Sequence, residues 1–591
     1  MDDVWPWLAS VAPLPSAAAP DSPPRPWLLP LAASPDGDSI VLQVHAAATA
    51  TASPSSAAGG EPARLVAFSL AVSVAGGETR ALWVSDAFAA ASPVPLRLRL
   101  LVQLLNEVLA LSPYVPCLGA TSAVDGPGDA LSEAWLDADV VSAAVGAGGT
   151  DASSAPAAAF FSLALLLRLF WLCALDAPAD AGYLFFRDLG AGIERALGEC
   201  PPALGAFLRA VGPDVEERFM RSLGYMLAKW CLLREIQAAG SAAAKPAPQQ
   251  EPRHRRALPA ACLSYAAEVH GLWILKGYAP VLAMPRVTGP ASASIAASPH
   301  EVPEEPALRY GLVHQQLEAV AQLEYAVRVR DRRFLTVSVR VDNVRVRVAR
   351  LAFRKDDDAG GADDDEDACG GADVMDSERH FPSRIRIWVG PRFGASYATG
   401  PSLGRSTGNP ERDVEMTRTV KGAFSGPTKL ANGNINGGVA PPRVKAKMRS
   451  SARARTRSWR WEQEAEGSAG VFEGVLCDPV AGTEVSAWRP GVGGTGAGDP
   501  RNGMRRRYGG PGRAFSKMRG LVVASDELPE EMTWRVGREQ EGRTLRWRLG
   551  LKVWVSYLPN EFRSRHFETR CVEWAHEVEL PLVPIDGDES F

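Results

Sequence analysis

Two hydrophobic rhythms divide the chain. Over residues 95–111, Leu98, Leu101, Leu105 and Leu109 recur at three- and four-residue spacing, which lines one face of a helix. Similar apolar spacing predicts helices over 157–175, 181–197, 202–211, 215–237 and 258–275. The segment 215–237 carries the clearest start signal. Asp214 precedes it and Glu217 follows three residues on, the pattern in which side chains satisfy free backbone N–H groups. A further short helix is expected over 307–323. From Leu335 the period becomes two: Leu335, Val337, Val339 and Val341 alternate with polar residues. The alternation resets at Asp342-Asn343 and resumes with Val344, Val346 and Val348, as a tight turn or a bulge would require.

Strands are predicted over 384–389, 443–448, 455–464, 470–477, 484–488, 520–524, 533–536, 545–549, 552–557 and 567–574. Turn residues such as Asp478-Pro479 and Gly510-Pro511-Gly512 punctuate them. Near the N-terminus a short strand is expected at 39–45, and a hairpin joins 64–74 to 79–85 through Gly76-Gly77. The fold class read from these patterns is multidomain α+β. A Pro/Ala-rich segment (1–90) precedes an all-α helical bundle (91–286), a linker (287–306) and an antiparallel β-sandwich or barrel-like domain (307–590). Low-complexity loops are expected at 356–373, 400–440 and 490–510.

Composition changes this picture little: 46% hydrophobic and 22% charged residues are ordinary for a globular protein with a real core. Charge adds more. The formal net charge is −4, but residues 301–591 are basic once the acidic run from Asp356 to Asp373 is set aside. Such asymmetry bears on partners rather than on fold. The eight cysteines include no C-x-x-C pair. With no glycosylation sequon and no apolar leader after Met1-Asp2-Asp3, an intracellular protein, cytoplasmic or nuclear, is expected. Residues 157–175 carry only Ser162 and Arg168 as polar side chains, and a buried helix is expected there rather than a membrane span.

Catalytic signatures are weak. Gly491-Val-Gly493-Gly-Thr-Gly496 matches a dinucleotide fingerprint, but Ala497-Gly498-Asp499-Pro500 starts no helix after it. His270, Cys262 and Glu268 share one segment, and His566 and His576 lie near Glu568, Glu573 and Glu577. Neither group has a recognised catalytic spacing, and the contiguous acids of 356–367 lack the register of a calcium loop. No catalytic residue, cofactor or metal site is assigned.

The basic stretch is the sharpest feature. Arg443, Lys445, Lys447 and Arg449 alternate, and Arg453, Arg455, Arg457, Trp459 and Trp461 alternate in a second register. On strands, each set falls on one face. Cations interleaved with rings suit an anionic ligand. The leading expectation is therefore a non-catalytic binding or adaptor protein whose basic sheet face takes nucleic acid, phospholipid headgroups or an acidic protein. Two alternatives are a hydrolase-like enzyme with a site between the domains, and a membrane-associated protein anchored by its apolar helices.

Several strings carry a resemblance: Phe381-Pro-Ser-Arg-Ile-Arg-Ile-Trp-Val-Gly390, Arg443-Val-Lys-Ala-Lys-Met-Arg449, Arg457-Ser-Trp-Arg-Trp-Glu-Gln463, Gly510-Pro-Gly-Arg-Ala-Phe-Ser516 and Lys552-Val-Trp-Val-Ser-Tyr557. Together they resemble an uncharacterised land-plant protein family. That resemblance implies a plant source and supplies no activity and no functional residue.

Overall fold

The computed structural model describes residues 4, 7–8, 27–33, 37–47, 65–73, 79–89, 94–112, 136–146, 155–175, 179–243, 263–281, 284, 287, 314–329, 333–351, 380–405, 412–413, 418–424, 444–450, 455–456, 459–477, 483–487, 515–516, 520–524, 528–557 and 566–583. The chain forms two compact units. Unit 1 comprises Met1–Val320, Val346–Ala368 and Arg570–Val578; unit 2 comprises Ala321–Arg345, Cys369–Thr569 and Glu579–Phe591.

Unit 1 opens with β1 (Trp27–Ala33), β2 (Ser39–Ala47), β3 (Leu65–Ser73), β4 (Arg80–Val84) and β5 (Phe88–Ala89). They form an antiparallel sheet in the order β1-β2-β3-β4, with β5 also beside β3. Alternate residues Ile40, Leu42 and Val44 and their neighbours Phe68 and Leu70 are buried. An apolar sheet face of this kind needs a cover. The helices α1 (Leu96–Ala110), α2 (Ala138–Gly146), α3 (Ala155–Leu175), α4 (Ala179–Glu199), α5 (Pro201–Ala210) and α6 (Pro213–Ala243) share one core with it. Of the expected α1 stripe, Leu101, Leu105 and Leu109 are buried and Leu98 is partly buried against the same core. In α3, Arg168 Nε donates to Glu107 at 2.5 Å, and Trp83 Nε1 donates to the same carboxylate at 2.7 Å. The window Ala155–Cys173 is long and apolar enough to cross a membrane, and 78% of it is buried in the protein.

The expected helical bundle at the N-terminal side is not formed. The chain is mostly β, and the helices occupy the middle of unit 1, between a sheet and further strands. Residues 258–275 are not a helix. The strands β6 (Leu263–Val269) and β7 (Leu272–Pro280) form a hairpin whose register closes at Val269 opposite Leu272. His270 and Gly271 turn it with φ of 49° and 87°, the positive angles that a two-residue turn of this hand requires. The segment expected as a short helix at 307–323 contains instead the start of β8 (His314–Val329). Both segments carry apolar residues that fit either period over a short run, and strand pairing decides between them.

β9 (Phe334–Leu351) runs unbroken through Asp342-Asn343. The buried positions shift there by one residue, from Leu335, Val337, Val339 and Val341 to Val344, Val346 and Val348. In unit 1 the end of β9, the start of β8, β7 and β6 lie side by side. One face of these strands is covered by α6. On the other face, Gly277 leaves room for the Trp574 indole, which a Cβ would approach to 2.5 Å.

Unit 2 continues with β10 (His380–Pro391), β11 (Ala398–Ser402), β12 (Arg412–Asp413), β13 (Arg418–Phe424), β14 (Val444–Ser450), β15 (Arg455–Thr456), β16 (Trp459–Glu466), β17 (Ala469–Leu476), β18 (Phe515–Ser516), β19 (Gly520–Ala524), β20 (Met532–Gly537), β21 (Thr544–Tyr557) and β22 (Glu568–Pro581), of which only the ends belong to this unit. One sheet has the order β16-β17-β10-β21-β22. Against its inner face lies a second, in which β20 pairs with β11 and with the first part of β9. Gly470 sits beneath Met532 and Trp534, and the Trp534 and Trp547 rings meet edge-on at 5.1 Å. The sheets here are antiparallel, but the expected single β domain over 307–590 is not one unit, since Val346–Ala368 and Arg570–Val578 belong to unit 1. The runs 545–549 and 552–557 are one strand, β21, that passes through Gly550.

Candidate functional site

The outward face of the β10–β21 seam carries the most distinctive described surface. Burial alternates along β10: Ile385, Ile387 and Val389 point into the sandwich, so Arg384, Arg386 and Trp388 point out. The antiparallel register sets Arg384 opposite Trp554, Arg386 opposite Lys552, Trp388 opposite Gly550 and Gly390 opposite Arg548. Rings and cations therefore alternate along the seam. Arg384 and Lys552 lie 5.3 and 5.2 Å from the Trp554 ring centroid. Trp388 lies over Gly550, where a Cβ would come within 2.0 Å of the indole. Glycine is needed there for close approach, not for its backbone freedom.

Electrostatics divide this face. Arg384 pairs with Glu473, and Arg386 pairs with Glu466. Arg548 has no carboxylate partner among the described residues. Its Nε donates to the Pro391 carbonyl at 3.2 Å, and its guanidinium lies 5.8 Å from the Trp388 centroid and 5.5 Å from that of Phe393. Phe393 is 84% exposed. The turn that presents it is fastened on several sides. Ala395 N donates to Arg392 O at 3.0 Å across Gly394, whose φ is 76°. Arg392 N reaches Arg546 O at 3.2 Å, and the Tyr397 hydroxyl donates to the same carbonyl.

The residues that the sequence pattern singled out are distributed differently. Trp459 and Trp461 are 4% and 0% exposed and fill the sandwich, with Trp461 lying over Gly474. Neither ring lies on an outward face. Lys445, Lys447 and Arg449 are in β14, and Arg455 is in β15. The β13–β14 register places Lys421 opposite Lys447, with Ala423 opposite Lys445 and Thr419 opposite Arg449. Arg443, Arg453 and Arg457 lie outside the described residues, as do the acidic run 356–373, Gly491–Gly496 and Cys262. Glu268 accepts from Gly271 N at 3.0 Å in the hairpin turn beside His270. His576 shares a hydrogen bond with Ser264 at 2.8 Å, and burial lowers its pKa. Glu568 accepts from the Tyr557 hydroxyl at 2.7 Å, while Glu573 and Glu577 are exposed. These groups do not converge on one reacting position.

Unit 1 holds a buried charge network that sequence reading missed. Glu216, at the start of α6 and 3% exposed, accepts from Lys276 Nζ at 2.5 Å and from the Tyr278 hydroxyl at 2.7 Å. Glu217 pairs with Arg221 and, at 2.8 Å, with Arg347; Arg347 also pairs with Glu318. Glu217 is thus spent on ion pairs rather than on capping the helix, which begins at Pro213. Gln316 lies against Gly224, which clears the space for it on α6. Burial, and then the Glu216 charge, push the Tyr265 and Tyr278 hydroxyls upward in pKa. The network joins a helix to a sheet with its charges matched, an arrangement for positioning rather than for chemistry. Its sequence signals are polar residues at alternate strand positions (Gln316 and Glu318; Lys276 and Tyr278) and the i,i+4 spacing of Glu217 and Arg221. In unit 2, the hydroxyls of Ser383, Ser556 and Thr569 form a chain at 2.7 and 2.8 Å, and both serines are buried. Among the described residues no His, Cys, Asp and Glu cluster could hold a metal ion.

No protein-family model and no curated protein matches the chain. Three solved structures are similar over 54% of it. Clostridium perfringens delta-toxin is 9% identical, is covered over 98% of its own length and has a TM-score of 0.19. The membrane-inserted form of the Clostridium perfringens NetB toxin is 8% identical, with 93% coverage and a TM-score of 0.17. A pore-forming protein is 6% identical, with 89% coverage and a TM-score of 0.14. Likenesses at this level carry no argument about fold or function.

Proposed function

We propose that the chain is a non-catalytic binding protein that holds an anionic partner on the outward β10–β21 face of unit 2. One observation carries the reading: Arg548 stands among Trp388, Phe393 and the Pro391 carbonyl without a described carboxylate partner, in line with Lys552, Arg386 and Arg384. A guanidinium so placed, held on a rigid sheet, is pre-oriented for an anion. The alternating Arg443, Lys445, Lys447 and Arg449 of the sequence add to the same reading.

Heparin chromatography tests the proposal. The wild-type chain is retained and elutes with salt, as phosphate- or sulfate-directed binding does. The double variant R548E/K552E elutes early, with unchanged circular dichroism. Equal retention of the variant and the wild type removes the proposal for this face. Charge reversal of Lys445 and Lys447 in the same assay measures the share of that basic stretch.

A further inference from the structure

We infer that the partner of this face is a single-stranded nucleic acid, lying along the β10–β21 seam with bases stacked on Phe393 and Trp388. The inference rests on the proposed anion-binding reading and adds the class of ligand. Three features of the face lead to it.

The first is the alternation of chemistry. Along the seam run Trp554, then Arg386 with Lys552, then Trp388, then Arg548, then Phe393. Residues two apart on a strand are separated by about 6.7 Å, so the rows from Arg384 to Gly390 span about 20 Å. Ring, charge, ring, charge matches a polymer that itself alternates a flat base with a phosphate. A sulfated sugar or an acidic peptide offers the charge and no flat group for the rings.

The second is the presentation of Phe393. A phenyl ring 84% exposed to solvent is unfavourable to display unless something covers it in use. Here it is not a loose end: the Arg392–Ala395 turn is tied to β21 through the Arg546 carbonyl, the Tyr397 hydroxyl and Arg548. Fixing the ring in advance lowers the ordering cost of stacking a base on it.

The third is the setting of Trp388. Gly550 lets its indole lie down on the sheet with Arg548 alongside, and the ring is half-buried with part of its surface outward. A ring standing on edge would wedge between groups; one lying on the sheet offers a platform. Bases have a π-face whatever their identity, so the site is expected to bind without strong sequence preference. Duplex hides those faces within its own stack, and the flat seam offers no helix or ribbon to enter a groove.

Fluorescence anisotropy of the full chain with a labelled single-stranded oligouridylate tests this. The wild type binds it more tightly than the duplex of equal length. F393A weakens binding about 5- to 150-fold, the loss of one stacked base, and leaves the slope of log affinity against log salt unchanged. F393W restores binding. R548A weakens binding and reduces that slope by about 0.7, the loss of one phosphate contact. Equal binding of F393A and the wild type overturns the inference, and so does equal affinity for duplex. Retention on heparin without oligonucleotide binding also overturns it while the anion-binding reading stands. Phe393-dependent binding to phosphatidylserine vesicles with no oligonucleotide binding makes a lipid surface the partner and again sinks the inference. If heparin, vesicles and oligonucleotide all fail, both readings fall. Phe393 touches solvent over most of its surface, so its replacement leaves folding intact and the test stays interpretable.

Discussion

Glu216 offers the sharpest test of how α6 is held on its sheet. Its carboxylate is 3% exposed and serves two donors, Lys276 Nζ at 2.5 Å and the Tyr278 hydroxyl at 2.7 Å. E216L removes the acceptor and leaves an ammonium whose side chain is only 24% exposed. Breaking such a pair from one side destabilises by about 3–5 kcal/mol, because a charge stays buried without its counterion. The partial exposure of Lys276 puts the expected value near the lower end, about 3 kcal/mol. E216L/K276M removes both charges together. Apolar replacement of a whole buried pair is close to neutral, and the remaining loss is the hydrogen bond to Tyr278, about 1 kcal/mol. Urea unfolding of the wild type, both single variants and the double variant closes a thermodynamic cycle. The double variant is expected to be more stable than E216L alone. If E216L loses under about 1 kcal/mol, or if the double variant is as unstable as the two singles combined, the network does not anchor the helix as described.

Three further outcomes follow from burial. Burial lowers the pKa of Lys229 from 10.5 to about 8, so between those values the native state binds fewer protons than the unfolded chain and stability rises with pH. At 1.36 kcal/mol per pH unit this group contributes about 3 kcal/mol at most; the urea midpoint of the wild type should gain on that of K229M across that window, the losses from thiols and hydroxyls with raised pKa being common to both. Burial pushes the thiols of Cys173 and Cys200 up to about 12. Both should resist thiol labelling in the native protein at neutral pH and react fully once it is unfolded, as read by mass spectrometry. G277A places a methyl 2.5 Å from the Trp574 ring, and a well-packed core resists such an insertion by about 1–3 kcal/mol; a midpoint equal to that of the wild type would mean the ring moves aside freely.

Long, strongly periodic elements were legible from sequence, and short ambiguous ones were not. The leucines of α1 and the alternation of β9 settle their own secondary structure, because only one period fits them. Residues 263–280 contain Leu263, Tyr265, Trp273 and Leu275, which satisfy a strand and loosely satisfy a helix. The deciding feature, a His-Gly turn at positive φ, is a weak signal beside the stronger Asn-Gly and Gly-Gly turns. At the candidate site, the string Arg384-Ile-Arg-Ile-Trp388 displays the outward alternation openly. What it conceals is which neighbouring strand supplies Arg548 and Lys552, since pairing between β10 and β21 joins residues more than a hundred and fifty positions apart. Trp459 and Trp461 misled for the opposite reason. Alternation places residues on a common face without saying which face is inside, and large rings fill cores more often than they line surfaces.

The way unit 1 is closed sets an order on its birth at the ribosome. Its strands β6 and β7 are completed by Trp574 above Gly277 and by His576 bonded to Ser264, a partner 312 residues later in sequence. A chain that emerges from its N-terminal end must therefore carry an unfinished first unit, with the Trp574 side of its sheet bare, while nearly all of the second is synthesised. Nascent chains arrested before residue 570 should be bound by holding chaperones and cut readily between 263 and 280; those arrested beyond 578 should not.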